Sequence, residues 1–280
     1  MKSFRLNSWK RVFFSWVSAS RSKLRWWKYR DTLPKTFFHD DIYLVTFPKS
    51  GTTWITFIIA NIHHLAMENG CHATIFNIDA WVPDVGYHYL RSDKVLYPGH
   101  RFLKSHSNYN HFYKHSLYLI RNPKAVLVSY YYFLKGLGRY SGSLSDFIRD
   151  PRLGIHAWNR HVEGWFGSLR PFQYMHLMHY EDLREDPHSS IRKFYTSIGV
   201  DLDESLLAKA IEASSFEQMK ASETAYRDAN PVFASKMSSN LLRKGNTESY
   251  REDLSQDDIS YIAIESEPIR NRYGIYTGEF

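Results

Sequence analysis

Short apolar, β-branched runs alternate with polar stretches punctuated by Gly and Pro along most of this chain. Ile42-Tyr43-Leu44-Val45 reads as a buried strand. Phe102-Leu103 suggests the end of another, and Ser116-Leu117-Tyr118-Leu119-Ile120 and Gln173-Tyr174-Met175-His176-Leu177-Met178 give two more. The run Ile55–Ile62 with its continuation is long enough for a buried helix. Ala125–Tyr131 opens a second helix, and Trp158, Val162 and Trp165 fall at helical spacing. Residues 191–198 and 206–211 read as further helices. Gly70, Asn77, Pro83, Gly86, Pro98 and Gly99 make residues 70–100 irregular, and Tyr140–Gly154 reads as a Gly- and Ser-containing connection. This strand-loop-helix order predicts an α/β fold: a central parallel sheet with helices on both faces and a ligand across the carboxyl ends of its strands.

Length and charge narrow the picture. A chain of 280 residues can bury the core of one such domain. The net charge of +7 is uneven: residues 1–30 hold nine Lys or Arg and no Asp or Glu, leaving 27 basic against 29 acidic side chains over the other 250. The body is near neutral, which argues against a nucleic-acid-binding body. We divide the chain into a basic, aromatic arm over residues 1–36 and a single domain over 37–280. The arm's run Val12-Phe13-Phe14-Ser15-Trp16-Val17 is too short to span a bilayer. It reads as a helix packed on the body, or as an interfacial helix making a weak membrane or partner contact through residues 1–30. A secretory signal is set aside because the chain shows no disulfide framework. Cys71 is the lone cysteine, so the expected compartment is the reducing cytoplasm.

The chemistry centres on Thr46-Phe47-Pro48-Lys49-Ser50-Gly51-Thr52-Thr53-Trp54, between the first strand and the first helix. Helix N-termini offer unbonded N–H groups and favour negative charge, and Gly permits close backbone approach. Lys49 adds a cation, and Ser50, Thr52 and Thr53 add hydroxyl donors, so the stretch is suited to a phosphate. It is not a Walker A loop, because Lys49 precedes Gly51 and no Gly stands five residues before it. Lys104 and His106, two apart at a strand end, share one face and suit proton removal beside a developing anion. No His, Cys or carboxylate cluster has convincing metal-ligand spacing.

The string Pro48-Lys49-Ser50-Gly51-Thr52-Thr53-Trp54 resembles the 5′-phosphosulfate loop of the cytosolic-type sulfotransferases, and four later segments match the same family in order. The resemblance covers about residues 37–250. It implies a P-loop-NTPase-like sulfotransferase fold. It implies 3′-phosphoadenosine 5′-phosphosulfate as donor, adenosine 3′,5′-bisphosphate as product, and no metal. Arg101-Phe102-Leu103-Lys104-Ser105-His106 matches the segment whose His is the catalytic base, so His106 would deprotonate the acceptor and Lys104 would stabilise the transferring group. Arg121-Asn122-Pro123-Lys124 with Ser129 and Phe133 resembles the second signature, where Arg121 and Ser129 would grip the 3′-phosphate. Ala125 stands where the family usually has Asp. Tyr180 in Tyr180-Glu181-Asp182 would lie against adenine, with Trp54, Ser214, Phe216 and Met219 around it. Arg243-Lys244-Gly245 would cap the 3′-phosphate, although Glu248, Ser249 and Tyr250 depart from the usual continuation. The stretch from Gly154 to Trp165 resembles a family helix with no assigned chemistry, His161 and Trp158 being candidates for the pocket edge. The family's dimerisation pattern would fall on Arg251–Ser260, where Arg251 alone is similar, so that dimer is not implied.

The expected reaction is in-line transfer of a sulfuryl group to a hydroxyl or amine of a small molecule. Asp79, Trp81, Asp84 and Tyr87 are the candidate walls of the acceptor pocket, and their charge and rings hint at a cationic or aromatic acceptor. The pocket segments diverge from the family pattern, compatible with an enzyme of specialised metabolism. Two other classes are weighed. A P-loop kinase would need a Walker A lysine and an acidic metal site, and a non-catalytic nucleotide or membrane binder would not need Lys49, His106 and Arg121 together.

Overall fold

Four parallel strands form one sheet in the order β2-β1-β3-β4: β1 (Ile42–Thr46), β2 (Phe102–Ser105), β3 (His115–Ile120) and β4 (Tyr174–His179). This computed structural model describes residues 38–67, 72–85, 96, 97, 99–231, 235, 242 and 249–275. The basic arm, Tyr87, Arg243, Lys244 and Gly245 lie outside the described residues. Among the described residues no helix is long and apolar enough to cross a membrane.

The strands sort their side chains by the two-residue period of a β-strand. Tyr43, Val45, Tyr118 and Ile120 face one layer, with α3 (Pro123–Gly136), α5 (Ile155–Ser168) and α10 (Gln256–Tyr273). Ile42, Leu44, Leu117 and Leu119 face the other, with α1 (Thr52–Ala66), α7 (Pro187–Ser197) and α8 (Glu204–Ala213). Both faces are covered, which is why the strands read as continuous apolar runs. Trp158, Val162 and Trp165 of α5 are fully buried. Trp158 is therefore core and does not edge a pocket.

Three stretches differ from the sequence expectation. The connection Tyr140–Gly154 contains α4 (Leu144–Arg149), opened by a capping box in which Ser143 and Asp146 satisfy each other's backbone N–H groups. Residues 70–100 contain the one-turn helix α2 (Ile78–Trp81), and Asp84 pairs with Lys104 as a further parallel bridge at the edge of β2. After a 3₁₀ turn (Ser249–Glu252), α10 runs from its Ser255 cap to Gly274 at φ 60° and packs on α5. Arg251–Ser260, where the family's dimerisation pattern would fall, spans the end of this turn and the start of α10. The remaining helices are α6 (Tyr180–Glu185) and α9 (Phe216–Ala229).

At the amino ends of β1 and β2 the buried Arg101 donates to both carboxylate oxygens of Asp41, from Nε at 2.7 Å and Nη2 at 2.6 Å. Each side chain is 2% exposed. A bidentate pair of this kind offsets its desolvation only when both members are present. It fixes the register that places the carboxyl ends of β1 and β2 side by side.

Candidate active site

The carboxyl ends of β1, β2, β3 and β4 deliver Thr46, Ser105-His106, Arg121 and Tyr180 to one edge of the sheet. From Thr46 the chain turns sharply into α1. Ser50 N–H donates to Phe47 O at 3.2 Å, Lys49 has φ 69° and Gly51 has φ 107°. A non-Gly residue at positive φ is strained and is kept where the surroundings over-determine it. Gly51 is required outright: a Cβ there would lie 2.5 Å from Tyr180 Cδ2. α1 has no side-chain cap and no acidic residue in its first turn. Its N-terminal amides and dipole therefore remain available to an anion. Ser50 Oγ and Trp54 Nε1 are buried without a hydrogen-bond partner among the described residues, as polar groups held for a ligand would be.

Lys49 and Arg121 come together here although 72 positions separate them. Arg121 Nη1 donates to Lys49 O at 3.3 Å. The guanidinium lies 4.2 Å over the Tyr180 ring, and Lys49 Nζ lies 4.6 Å over the Phe133 ring. Burial, then the neighbouring charge of Arg121, pushes Lys49 down to about 8, against the pull of Glu223. Ser129 is half-buried on α3 one turn before Phe133, hence on the same helix face.

His106 is oriented by the main chain. Its Nδ1 lies 3.0 Å from Thr46 O and 2.9 Å from Thr46 Oγ1. A carbonyl can only accept, so Nδ1 carries the proton and Nε2 keeps its lone pair. Thr46 Oγ1 is in turn 2.6 Å from Thr52 Oγ1 at the start of α1. Burial lowers the His106 pKa, and the charge of Asp84 opposes that fall. The imidazole is thus neutral at neutral pH, the form a proton acceptor needs.

Lys104 stands two residues away. Its Nζ is 3.2 Å from Asp79 Oδ1 and 3.7 Å from Asp84 Oδ2. The two candidate pocket carboxylates thus converge on Lys104. Asp84 is 5% exposed, a buried partner and not an open pocket wall. Trp81 packs on the rings of His63 and His64 in α1, at 5.0 and 4.4 Å, and against the cluster that holds Met219. His161 is buried beside Tyr118, whose hydroxyl is 2.8 Å from its Nδ1. Burial and the proximity of His106 push His161 down to about 3, so it stays neutral.

The candidate adenine residues divide. Trp54 and Tyr180 meet edge to face with ring centres 5.9 Å apart, Met219 packs in the same cluster as Trp54, and Phe216 is half-buried at the start of α9. Ser214 is not brought into this group. It is fully buried, accepts from Asn61 Nδ2 at 2.9 Å and donates to Ala210 O at 2.7 Å, riveting α8 to α1. Leu242, next to Arg243, is tied to α9. Its N–H donates to Glu223 Oε2 at 3.2 Å and its carbonyl accepts from Lys220 Nζ at 2.8 Å.

Thr46 and Glu223 carried no signal in the sequence. Thr46 matters through its carbonyl, and Glu223 through its burial near Lys49. Among the described residues no group of three or more His, Cys, Asp or Glu could hold a metal ion.

Taken together, two cations converging on an uncapped helix start beside a backbone-oriented neutral imidazole define a group-transfer site for a polyanionic donor. Comparison with known proteins narrows the class. The sulfotransferase domain model matches residues 39–263. Sulfotransferase 1C2 of Oryctolagus cuniculus and that of Homo sapiens are each 30% identical over 224 residues, covering 74% of this chain and 75% of theirs. A solved mouse sulfotransferase complexed with PAP superposes at TM-score 0.62 with 22% identity, over 86% of this chain and 87% of that one. A retinol dehydratase in complex with androsterone and inactive cofactor PAP superposes at 0.66 with 16% identity, over 89% and 84%. The chain belongs to the sulfotransferase family.

Proposed function

We propose that this sulfotransferase moves a sulfuryl group from 3′-phosphoadenosine 5′-phosphosulfate to a hydroxyl or amine of a small molecule by in-line displacement. The observation that carries the reading is the joining of Lys49, Arg121 and the uncapped start of α1 next to His106. These residues fit the donor's two anionic ends. Lys49, Ser50, Gly51, Thr52 and Thr53 would hold the 5′ end. Arg121, Ser129 and, from outside the described residues, Arg243, Lys244 and Gly245 would hold the 3′-phosphate. Trp54, Tyr180, Phe216 and Met219 would bracket adenine, a set from which the buried Ser214 drops out.

The donor supplies an electrophilic sulfur and a bisphosphate leaving group. His106 Nε2 takes the acceptor's proton while Nδ1–H stays on Thr46 O. Lys104 faces the charge on the transferring group, and Lys49 balances the charge that builds on the leaving oxygen. This is positioning plus electrostatics. Asp79, whose side chain is 44% exposed beside Lys104, supports a cationic or aromatic acceptor. The lone Cys71 supports a cytoplasmic setting.

The test is sulfation of a panel of phenols, alcohols, sugars and amines with labelled donor, using wild type and His106→Ala. Turnover by wild type that is lost in the variant supports the reading. Undiminished turnover by the variant removes the base, and turnover of anionic acceptors alone removes the cationic assignment. Preference for ATP over adenosine 3′,5′-bisphosphate in a binding assay would return the kinase reading.

A further inference from the structure

His106 stands just past the end of β2, whose last residue, Ser105, pairs with Val45 of β1. The chain therefore enters His106 in the register of the sheet. On the far side Asn108 is already exposed, and no strand holds the backbone. The bond from Nδ1 to Thr46 O fixes which ring nitrogen keeps its proton, but not the main chain from which the ring hangs. That main chain matters, because a misplacement of about 1 Å at a reacting group can cost about a hundredfold in rate.

Ser107 supplies the missing hold. Its N–H donates to Ser105 Oγ at 3.2 Å, and its hydroxyl lies 2.7 Å from the same Oγ. Its carbonyl accepts from Trp165 Nε1 at 3.1 Å. A peptide unit is planar, so holding the Ser107 N–H also holds the carbonyl of His106. Both anchors are rigid. Ser105 is 1% exposed, and its oxygen also meets the Tyr113 hydroxyl at 3.2 Å, which fills its one donor and two acceptor positions. Tyr113 stacks on Tyr43 of β1 with ring centres 3.6 Å apart. Trp165 on α5 is fully buried, with the rings of Tyr109, Tyr113 and Tyr118 at 5.5, 5.9 and 6.1 Å. A buried indole N–H needs an acceptor, and many carbonyls would serve. Here it meets the carbonyl of the same residue whose N–H Ser105 holds, next in the chain to His106.

We infer that Ser105 and Trp165 are positioning residues of the reaction, clasping the two polar ends of Ser107 so that the backbone under His106 is fixed and Nε2 is aimed at the acceptor. Neither touches a reacting atom; both act through Ser107. The inference rests on His106 being the base.

The experiment uses the full chain with Ser105→Ala, Ser105→Thr, Trp165→Phe and His106→Ala. Turnover is measured with labelled donor, adenosine 3′,5′-bisphosphate binding by calorimetry, and exchange of the His106 Nδ1 proton with water by NMR. Ser105→Ala and Trp165→Phe should each lower kcat roughly three- to thirtyfold, with nucleotide affinity within about twofold of wild type. The Nδ1 proton should exchange roughly three- to tenfold faster in both. Ser105→Thr keeps the hydroxyl and should match wild type. If Trp165→Phe does not fold, Ser105→Ala set against Ser105→Thr decides alone. Wild-type kcat in Ser105→Ala and Trp165→Phe overturns the inference. So does a fall in kcat matched by an equal fall in nucleotide affinity, or one with Nδ1 exchange unchanged. In those cases an inactive His106→Ala leaves the base standing. If His106→Ala turns over normally, both fall together.

Discussion

Replacing Gly51 with Ala tests how tightly the phosphate loop is built against Tyr180. The perturbation adds one methyl group. At φ 107° an L side chain is strained, at a cost of about 1–2 kcal/mol. The new Cβ would sit 2.5 Å from Tyr180 Cδ2 and 2.7 Å from Cε2. Carbon contacts are favourable at about 3.5–4.0 Å, so the ring must retreat by about an ångström. It is already in contact with Arg121, whose Cζ is 4.2 Å over it, and with Trp54, whose ring centre is 5.9 Å away. Overpacking of a site that cannot yield costs about 1–3 kcal/mol more. The expected loss is therefore about 2–5 kcal/mol, a large share of a typical folding stability. Thermal or urea unfolding of the ligand-free chain measures it. A double-mutant cycle with Tyr180→Ala divides the two causes, since truncating the ring relieves the clash but not the backbone strain. A coupling of about 1–3 kcal/mol is expected. Unfolding of Gly51→Ala within about 0.5 kcal/mol of wild type, or additive effects in the cycle, would refute the reasoning.

Further outcomes follow from the same geometry. His106→Ala should fold normally by circular dichroism and lose roughly 10²–10⁴-fold in turnover with labelled donor. Adenosine 3′,5′-bisphosphate should bind by calorimetry with constant affinity well below pH 8. Affinity should then weaken by up to about tenfold per unit above it as Lys49 loses its proton, and Lys49→Arg should remove that dependence. The sign for the ligand-free fold is opposite. Lys49 sits near 8 when folded against 10.5 for an unperturbed lysine, so the unfolded chain holds the extra proton between them and this group adds stability as pH rises through that interval. Arg101→Met should cost about 3–5 kcal/mol in denaturant titration by stranding Asp41, and a paired Asp41→Leu should recover much of it.

The fold was legible wherever both faces of an element are buried. β1 and α1 announce themselves as apolar runs because the sheet is covered on either side. α4 was missed because it is only six residues long, too short to show a helical period, and its evidence is the Ser143–Asp146 box. α10 was not read at all, its pattern being mostly polar with Pro268 inside it. In the site, Lys49, His106 and Arg121 are named by residue type and spacing, but the roles of their neighbours depend on strand register. Asp79 and Asp84 look alike as acidic loop residues. Only the pairing of Pro83–Val85 with Lys104 makes one of them buried and the other half-open. Ser214 shows the converse: its motif suggests a ligand contact, while the packing of α8 on α1 spends its hydroxyl internally.

The hydrogen bond from His106 to Thr46 O carries a consequence for how such a centre could change over time. In sites where a carboxylate side chain steers the imidazole, one codon change can erase the steering. Here the steering oxygen belongs to the peptide group, which every one of the twenty residues would present alike. The tautomer is thus inherited from the alignment of two neighbouring strands. Drift at position 46 can alter the hydroxyl but leaves this oxygen in place, and only a slip in how the strands align would turn the ring the wrong way.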